Sequence, residues 1–448
     1  MKSSIPLIML ALVVSGISPS NADEPVSFRK HIAPILLNNC VACHGPKKAE
    51  GGYRVDSYER ALKEGDSGSP AFAAKELDDS EGFRRIMSED ADERMPLESD
   101  PLPKEQLALF KRWIEEGAKF DGKDPKAELV TIIPPPRHPD PPESYPYSMP
   151  VTALVFSQDG SELYVGGYHE LTVWSPDDGK LIRRIKDVGQ RTYGLSLSPN
   201  GNLLAVGCGA PGRLGETRLY DLASGDMTNV LGATSDVVLD VAFNPQGDRL
   251  AIGSADGVIR IFEVSSGAEQ LTITSHSDWV TALSFNSDGS KLASASRDKT
   301  AKVFDAKTGE LLVTYSGHGQ PVKGVAFHPD GAEVYSSGGD KKIHRWKVED
   351  AKKSAEISFG GEVFKLPLGD AFLFAASADK TVRQFDAKSH KQLRSYSGHE
   401  DWALSVAYHA SSQRVASGGF DGQVWVWNAE DGKPLASFYA APGYSAEN

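Results

Sequence analysis

From Val151 onward the chain repeats short runs in which apolar and polar residues alternate: 151–156, 238–243, 280–285 and 322–327. This is the pattern of strands with one buried face. Asp-Gly, Asn-Gly or Gln-Gly pairs at 159–160, 200–201, 246–247, 288–289 and 330–331 follow these runs and favour tight hairpins. A second strand comes next. A third strand then ends near an aromatic residue: Trp174, Tyr220, Phe262, Phe304, Trp346, Phe385 or Trp427. These markers are spaced 46, 42, 42, 42, 39 and 42 residues apart. Four short strands per unit with a period near 42 residues predict a β-propeller, and seven markers predict seven blades. Residues 433–439 can supply the outermost strand of blade seven, so that every blade is self-contained.

The first 122 residues follow another period. Phe28, Ile32, Ile35 and Leu36 fall at helical spacing, with Pro34 placed to kink or start the helix. A second helix is predicted over 103–116. Pro103 opens it, Leu107, Phe110, Trp113 and Ile114 form one apolar face, and Gly117 can end it. Phe83, Ile86 and Met87 suggest a third buried helical face. Ahead of all this, Lys2, an apolar run over 5–14 and Ser20-Asn21-Ala22 form a secretory leader, with cleavage expected before Asp23. The run is short for a membrane span, and no later segment is a candidate. Nine prolines between 123 and 150 predict a semi-rigid spacer, with one short strand over 128–133. The expected order is therefore leader (1–22), small all-α domain (23–122), proline-rich linker (123–150), all-β seven-bladed propeller (151–440) and tail (441–448).

Charge narrows the partners. The 448 residues carry a net charge of −13, with scattered Lys and Arg, which argues against nucleic acid or an anionic membrane. The acidic run at 89–93 reads first as solvated surface and second as a feature that could orient a basic redox partner.

The candidate chemistry sits in Cys40-Val41-Ala42-Cys43-His44. Downstream of an export leader, Cys-x-x-Cys-His is the attachment sequence of a c-type haem. Two intervening residues let both sulfurs face one side of a turn and form thioethers, and His44 is placed to reach the iron as proximal ligand. A disulfide oxidoreductase would want a thioredoxin-like βαβ context, and a zinc site would want two further ligands at metal spacing. Met95, in Arg94-Met95-Pro96, is the candidate distal ligand, and Met87 is the alternative. A thioether opposite histidine raises the potential and leaves no open iron position. Only three cysteines are present, so Cys208 is unpaired under this assignment, and its apolar strand predicts a buried, inert thiol.

The propeller resembles the WD-repeat family. Gly317-His318, Gly398-His399 and Ser275-His276 match its Gly-His element, and Asp340, Asp421 and Asp298 each follow 22 residues later. The resemblance implies His–Asp–hydroxyl bonding inside blades, with Ser336 and Ser417 as hydroxyls. Trp279 and Trp402 are expected to pack between blades. His169, His328, His344, His390 and His409 show no metal-like spacing.

The N-terminal segment resembles the planctomycete-type cytochrome c domain in Phe28, Ile32-Ala33-Pro34-Ile35, residues 40–46, Gly51-Gly52-Tyr53-Arg54-Val55-Asp56, Gly65-Asp66-Ser67-Gly68, Arg94-Met95-Pro96 and Trp113-Ile114-Glu115-Glu116-Gly117-Ala118. Leu97 stands where that family usually has a second proline. The resemblance implies one covalent haem c on Cys40 and Cys43, axial ligands His44 and Met95, and export to a bacterial periplasm. Three readings follow. One is an electron carrier whose propeller docks a redox partner or larger assembly. Another is a haem-based redox or gas sensor. The third is a propeller oxidoreductase with a second cofactor.

Overall fold

The computed structural model describes residues 24–46, 48–97, 99–134, 137–369 and 371–445. The expected leader lies outside these residues. The chain divides into two compact units between residues 136 and 137.

In the first unit a π-helical turn, Phe28–Ile32, runs directly into α1 (Ala33–Asn39), with Pro34 in its first turn, where its missing N–H costs nothing. There follow α2 (Tyr58–Ala61), α3 (Glu81–Met87), α4 (Lys104–Glu115) and α5 (Leu129–Ile132), with isolated bridges but no strand among the described residues. Pro103 caps α4, whose Phe110, Trp113 and Ile114 are buried. They meet Phe28, Ile32, Leu36 and Phe72 in one core. Phe72 stacks on Phe110 with ring centres 5.2 Å apart.

The strand expected over 128–133 is instead α5. Leu129 and Ile132, one turn apart, both bury into this core, and the Leu129 N–H donates to the Asp56 carbonyl at 2.9 Å. The stretch expected as a spacer is accordingly divided. Its first part packs in the helical unit, and 137–150 lies along the propeller. There the Tyr145 hydroxyl donates to the buried Glu170 carboxylate at 2.6 Å, and its N–H donates to the Pro442 carbonyl at 3.0 Å. Pro442 belongs to the expected tail, which is thus tied to this segment at that residue.

The second unit contains seven four-stranded antiparallel sheets, each built from consecutive strands. Blade one runs from Leu154–Phe156 to Leu181–Lys186, and blade seven from Ala403–His409 to Pro434–Tyr439, so each blade is complete by itself. The first strands line a central channel. Second strands are buried on both faces and rich in small residues, as in Lys291–Ser296 and Arg414–Gly419. Close blade contact is the reason. A Cβ on Gly253 would lie 2.7 Å from Val280 Cγ1 of the next blade, and one on Gly418 would lie 2.2 Å from Val151 Cγ1. Gly418 and Val151 join blade seven to blade one, so the ring closes with the same contact that joins blades three and four. The Val151 N–H donates to the Gly419 carbonyl at 3.0 Å, and Trp174 of blade one stacks on Phe438 of blade seven at 4.4 Å.

Trp279 and Trp402 are 40% and 46% exposed; Trp279 contacts only its own blade, whereas Trp402 reaches from blade seven to Phe364 of blade six at the propeller surface. Trp279 lies under the Arg297 guanidinium, and Trp402 sits on the propeller surface beside Phe364 and Phe420.

Candidate functional site

Residues 40–44 continue from α1 as a helical turn. The Cys43 N–H donates to the Cys40 carbonyl at 3.2 Å, and the His44 N–H donates to the same oxygen at 2.9 Å. This turn forms part of the wall of a cavity of about 530 Å³, within the usual range for a small-molecule or cofactor site. Cys40 and His44 line it, as do Leu36, Val55, Phe72, Ile86 and Met95. Cys43 is exposed and outside that lining. Met87 is 50% exposed and faces away, so neither the buried face nor the alternative ligand expected of it holds. Ile86, its neighbour on α3, is the buried residue of the helix.

His44 Nδ1 lies 3.1 Å from the Glu50 carbonyl oxygen. A carbonyl only accepts, so Nδ1 is the donor here and Nε2 is the nitrogen left for a metal, the arrangement found behind metal-bound imidazoles. The Tyr53 ring meets the His44 ring edge-on at 5.6 Å, and its hydroxyl donates to the Ala61 carbonyl at 2.7 Å, which fixes that wall. Burial and the neighbouring Cys43 push the Cys40 thiol up to about 12. Cys40 is therefore neutral at pH 7, and the nucleophilic thiolate of a disulfide oxidoreductase is missing from this position.

Charge gathers at one side of the cavity. Glu81 is bound by Arg84 at 2.8 Å and by Arg85 at 2.7 Å, and these two guanidiniums hold its carboxyl down at about 2. Arg85 lines the cavity, and Arg94, next to Met95, has a buried Nε without a hydrogen-bond partner. The donor set fits a haem: an imidazole with a free Nε2, a thioether in the same apolar cavity, two thiols one turn apart and cationic side chains for carboxylates. Sequence reasoning named His44 and Met95, which the structure brings into one cavity lining, but missed Phe72 and Arg85, which lie far from the motif and become wall residues only through packing.

In the propeller, His318 Nδ1 donates to Asp340 Oδ2 at 2.8 Å, and its Nε2 lies 2.8 Å from Ser336 Oγ. His276 repeats this with Asp298 at 2.8 Å and Ser294 at 2.7 Å. In blade seven His399 keeps Ser417 at 3.0 Å, but the Asp421 oxygen has moved out to 3.6 Å. Ser294 was missed in the sequence, although it precedes Phe304 by the same interval as Ser336 precedes Trp346. Cys208 is fully buried, and burial pushes its thiol up to about 12, as expected of an inert cysteine.

A compact helical unit with a cofactor-sized cavity at a Cys-x-x-Cys-His turn, joined to a closed propeller, defines a cytochrome-like propeller protein. Comparison with known families agrees. Residues 40–98 match the family described as Planctomycete cytochrome C. Residues 225–263, 267–305, 309–347 and 390–428 match WD domain, G-beta repeat. Each matched repeat begins in or just before the outermost strand of one blade and ends in the third strand of the next. The chain is thus a planctomycete cytochrome c domain fused to a seven-bladed WD-repeat propeller. Two curated proteins are similar over short stretches. The WD repeat-containing protein 91 homolog of Dictyostelium discoideum is 28% identical over 106 residues, covering 23% of this chain and 14% of that protein. Protein transport protein SEC13 of Yarrowia lipolytica is 35% identical over 65 residues, covering 14% and 22%. The chain therefore spans less than a quarter of either relative. Among the described residues no helix is long and apolar enough to cross a membrane.

Proposed function

We propose that this protein is an exported c-type cytochrome that passes electrons through one covalent haem and uses its propeller to dock a protein partner. The observation that carries the reading is that Cys40, His44 and Met95 line one apolar cavity, with His44 Nδ1 tied to a backbone carbonyl. Cys40 and Cys43 would hold the haem, and His44 and Met95 would supply its iron with a nitrogen and a sulfur donor. Bound there, the haem supplies one-electron exchange between its ferric and ferrous states, with no open position for substrate. The chain's own residues do the rest. Glu50 orients the His44 ring, Phe72, Ile86 and Leu36 exclude water, and Arg85 offers positive charge for the haem carboxylates. The exposed acidic run at 89–93 adjoins the Met95 loop and suits a basic redox partner. The leader directs the chain to the periplasm or beyond, where haem attachment takes place.

The test is an absorption spectrum of the exported protein, oxidised and reduced, with a haem assay after denaturation. Haem that stays with the denatured chain and a far-red ferric band from sulfur ligation are expected. Met95→Ala should abolish that band, lower the potential and admit carbon monoxide to the reduced protein, while Met87→Ala should leave all three unchanged. Haem that dissociates on denaturation, or a Met95→Ala protein with the parent spectrum, refutes the assignment.

A further inference from the structure

Trp279 and Trp402 occupy the same place in two blades. Each stands directly before a first strand, Val280–Phe285 of blade four or Ala403–His409 of blade seven. The backbone around them is alike. The Trp279 N–H donates to Asp278 Oδ1 and the Trp402 N–H donates to Asp401 Oδ1, both at 2.8 Å. The Trp279 carbonyl accepts from the Arg297 N–H at 2.9 Å, and the Trp402 carbonyl accepts from the Phe420 N–H at 2.8 Å. Arg297 and Phe420 are therefore equivalent residues, each just after the second strand of its blade.

The two places differ in that one residue. In blade four the guanidinium carbon of Arg297 lies 4.6 Å from the centre of the Trp279 ring, and Arg297 Nε lies 3.6 Å from Asp278 Oδ2. One planar cation serves both an aromatic face and a carboxylate, a combination that suits arginine. In blade seven phenylalanine takes that position. The Phe420 ring stands 5.9 Å from Trp402, and so does the ring of Phe364 from blade six. Phe364 has a cation of its own, the Lys323 ammonium at 4.6 Å, which Glu362 holds at 2.5 Å. Among the described residues no cation lies over the Trp402 ring and none pairs with the Asp401 carboxylate. Trp402 and Phe420 are both nearly half exposed, so the place is open to solvent. Blade seven thus keeps the ring and the carboxylate of the blade-four arrangement and lacks its guanidinium.

We propose that Asp401 and Trp402 form a docking site for an arginine side chain of a basic partner protein, whose guanidinium takes the place that Arg297 fills in blade four. Phe420 offers apolar surface to the arginine stem. The net charge of −13 favours the approach of such a partner. This inference rests on the docking part of the function proposed above, and gives that docking a surface and a partner chemistry.

The test is a titration of the full-length protein, labelled with nitrogen-15 at its seven tryptophans, with the peptide acetyl-Gly-Arg-Gly-Arg-Gly-amide. The indole N–H signals are followed by NMR and assigned through Trp279→Phe and Trp402→Phe. The Trp402 signal should move to saturation while the Trp279 signal stays still. The same peptide with citrulline for arginine, alike in shape but uncharged, should move neither. Phe420→Arg supplies the guanidinium from the chain itself and should abolish the Trp402 response. Arg297→Phe uncovers the blade-four site and should make the Trp279 signal respond as well. Both replaced side chains are about half exposed, so the variants should fold. Asp401→Asn should weaken peptide binding about threefold, the size of one exposed ion pair. A Trp402 signal that does not move, that follows the citrulline peptide equally, or that still responds in Phe420→Arg overturns the proposal. A response from another propeller indole with Trp402 still also overturns it, and leaves partner docking standing at a different surface. The haem spectrum is read independently of these signals, so either assignment can fail alone.

Discussion

Ser336 and Ser294 occupy the same place in two blades but have different numbers of partners, which makes their removal a quantitative test of how the blades are held. Both are fully buried. Ser336 Oγ faces His318 Nε2 at 2.8 Å and also accepts from Trp346 Nε1 at 3.0 Å. Ser294 Oγ faces only His276 Nε2, at 2.7 Å, because Phe304 stands where blade five has Trp346. Alanine at 336 leaves two buried polar groups without partners, and alanine at 294 leaves one. At about 1.5 kcal/mol per orphaned group, Ser294→Ala should cost about 1.5 kcal/mol and Ser336→Ala about 3 kcal/mol. For the propeller unit, Arg137–Asn448, that is a melting-temperature decrease of ~2 °C and ~5 °C in scanning calorimetry. In a Trp346→Phe background Ser336→Ala should cost only the smaller amount, a coupling of about 1.5 kcal/mol. Equal losses for the two serines, or no coupling with Trp346, would show that the hydroxyls act through packing alone and refute the reasoning.

Two more outcomes follow from the geometry. Burial, the largest effect, and the charge of Lys302 hold His276 below its ordinary value of 6.5, although Asp298 beside it pulls the other way; Ser294 and Thr300 are the other polar neighbours. The unfolded chain then binds more protons than the folded one, so His276 favours folding fully above pH 6.5 and progressively less as pH falls toward its folded value. Melting temperatures should fall from pH 7.5 to 5.5, and less steeply in His276→Gln; a profile unchanged by that variant counts against the assignment. Tyr145 is 7% exposed and ties the 137–150 segment to Glu170 and Pro442. Tyr145→Ala should cost about 3 kcal/mol and open that segment to limited proteolysis, whereas the parent protein resists cleavage there.

Much of this protein is legible in its sequence because its signals are local or periodic. The aromatic markers and glycine turns give seven blades, since a blade's strands follow one another in the chain and pair with their neighbours. The turn of Cys40, Cys43 and His44 is legible because its motif is contiguous, and Met95 stands out as a methionine before a proline ahead of a predicted helix; the structure places Cys40, His44 and Met95 in one cavity lining. What failed was of another kind. Residues 128–133 have enough β-branched residues to suggest a strand, yet become α5 because the helical core offers a place for Leu129 and Ile132 together. Met87 shares a helix with Ile86 but turns outward, and Trp279 lies against Arg297 of its own blade.

The sequence by itself determined the repeat, the Cys-x-x-Cys-His turn and the order of the two units, because each depends on residues close together in the chain. Only the tertiary structure decided which groups meet. It brought His44, Met95, Phe72 and Arg85 around one cavity. It closed the ring by setting Val151 against Gly418. It also set His344 against His318 and beside Asp340 in blade five. Such encounters depend on strand register and blade packing, which are set by the burial of the whole fold and by no local stretch of it.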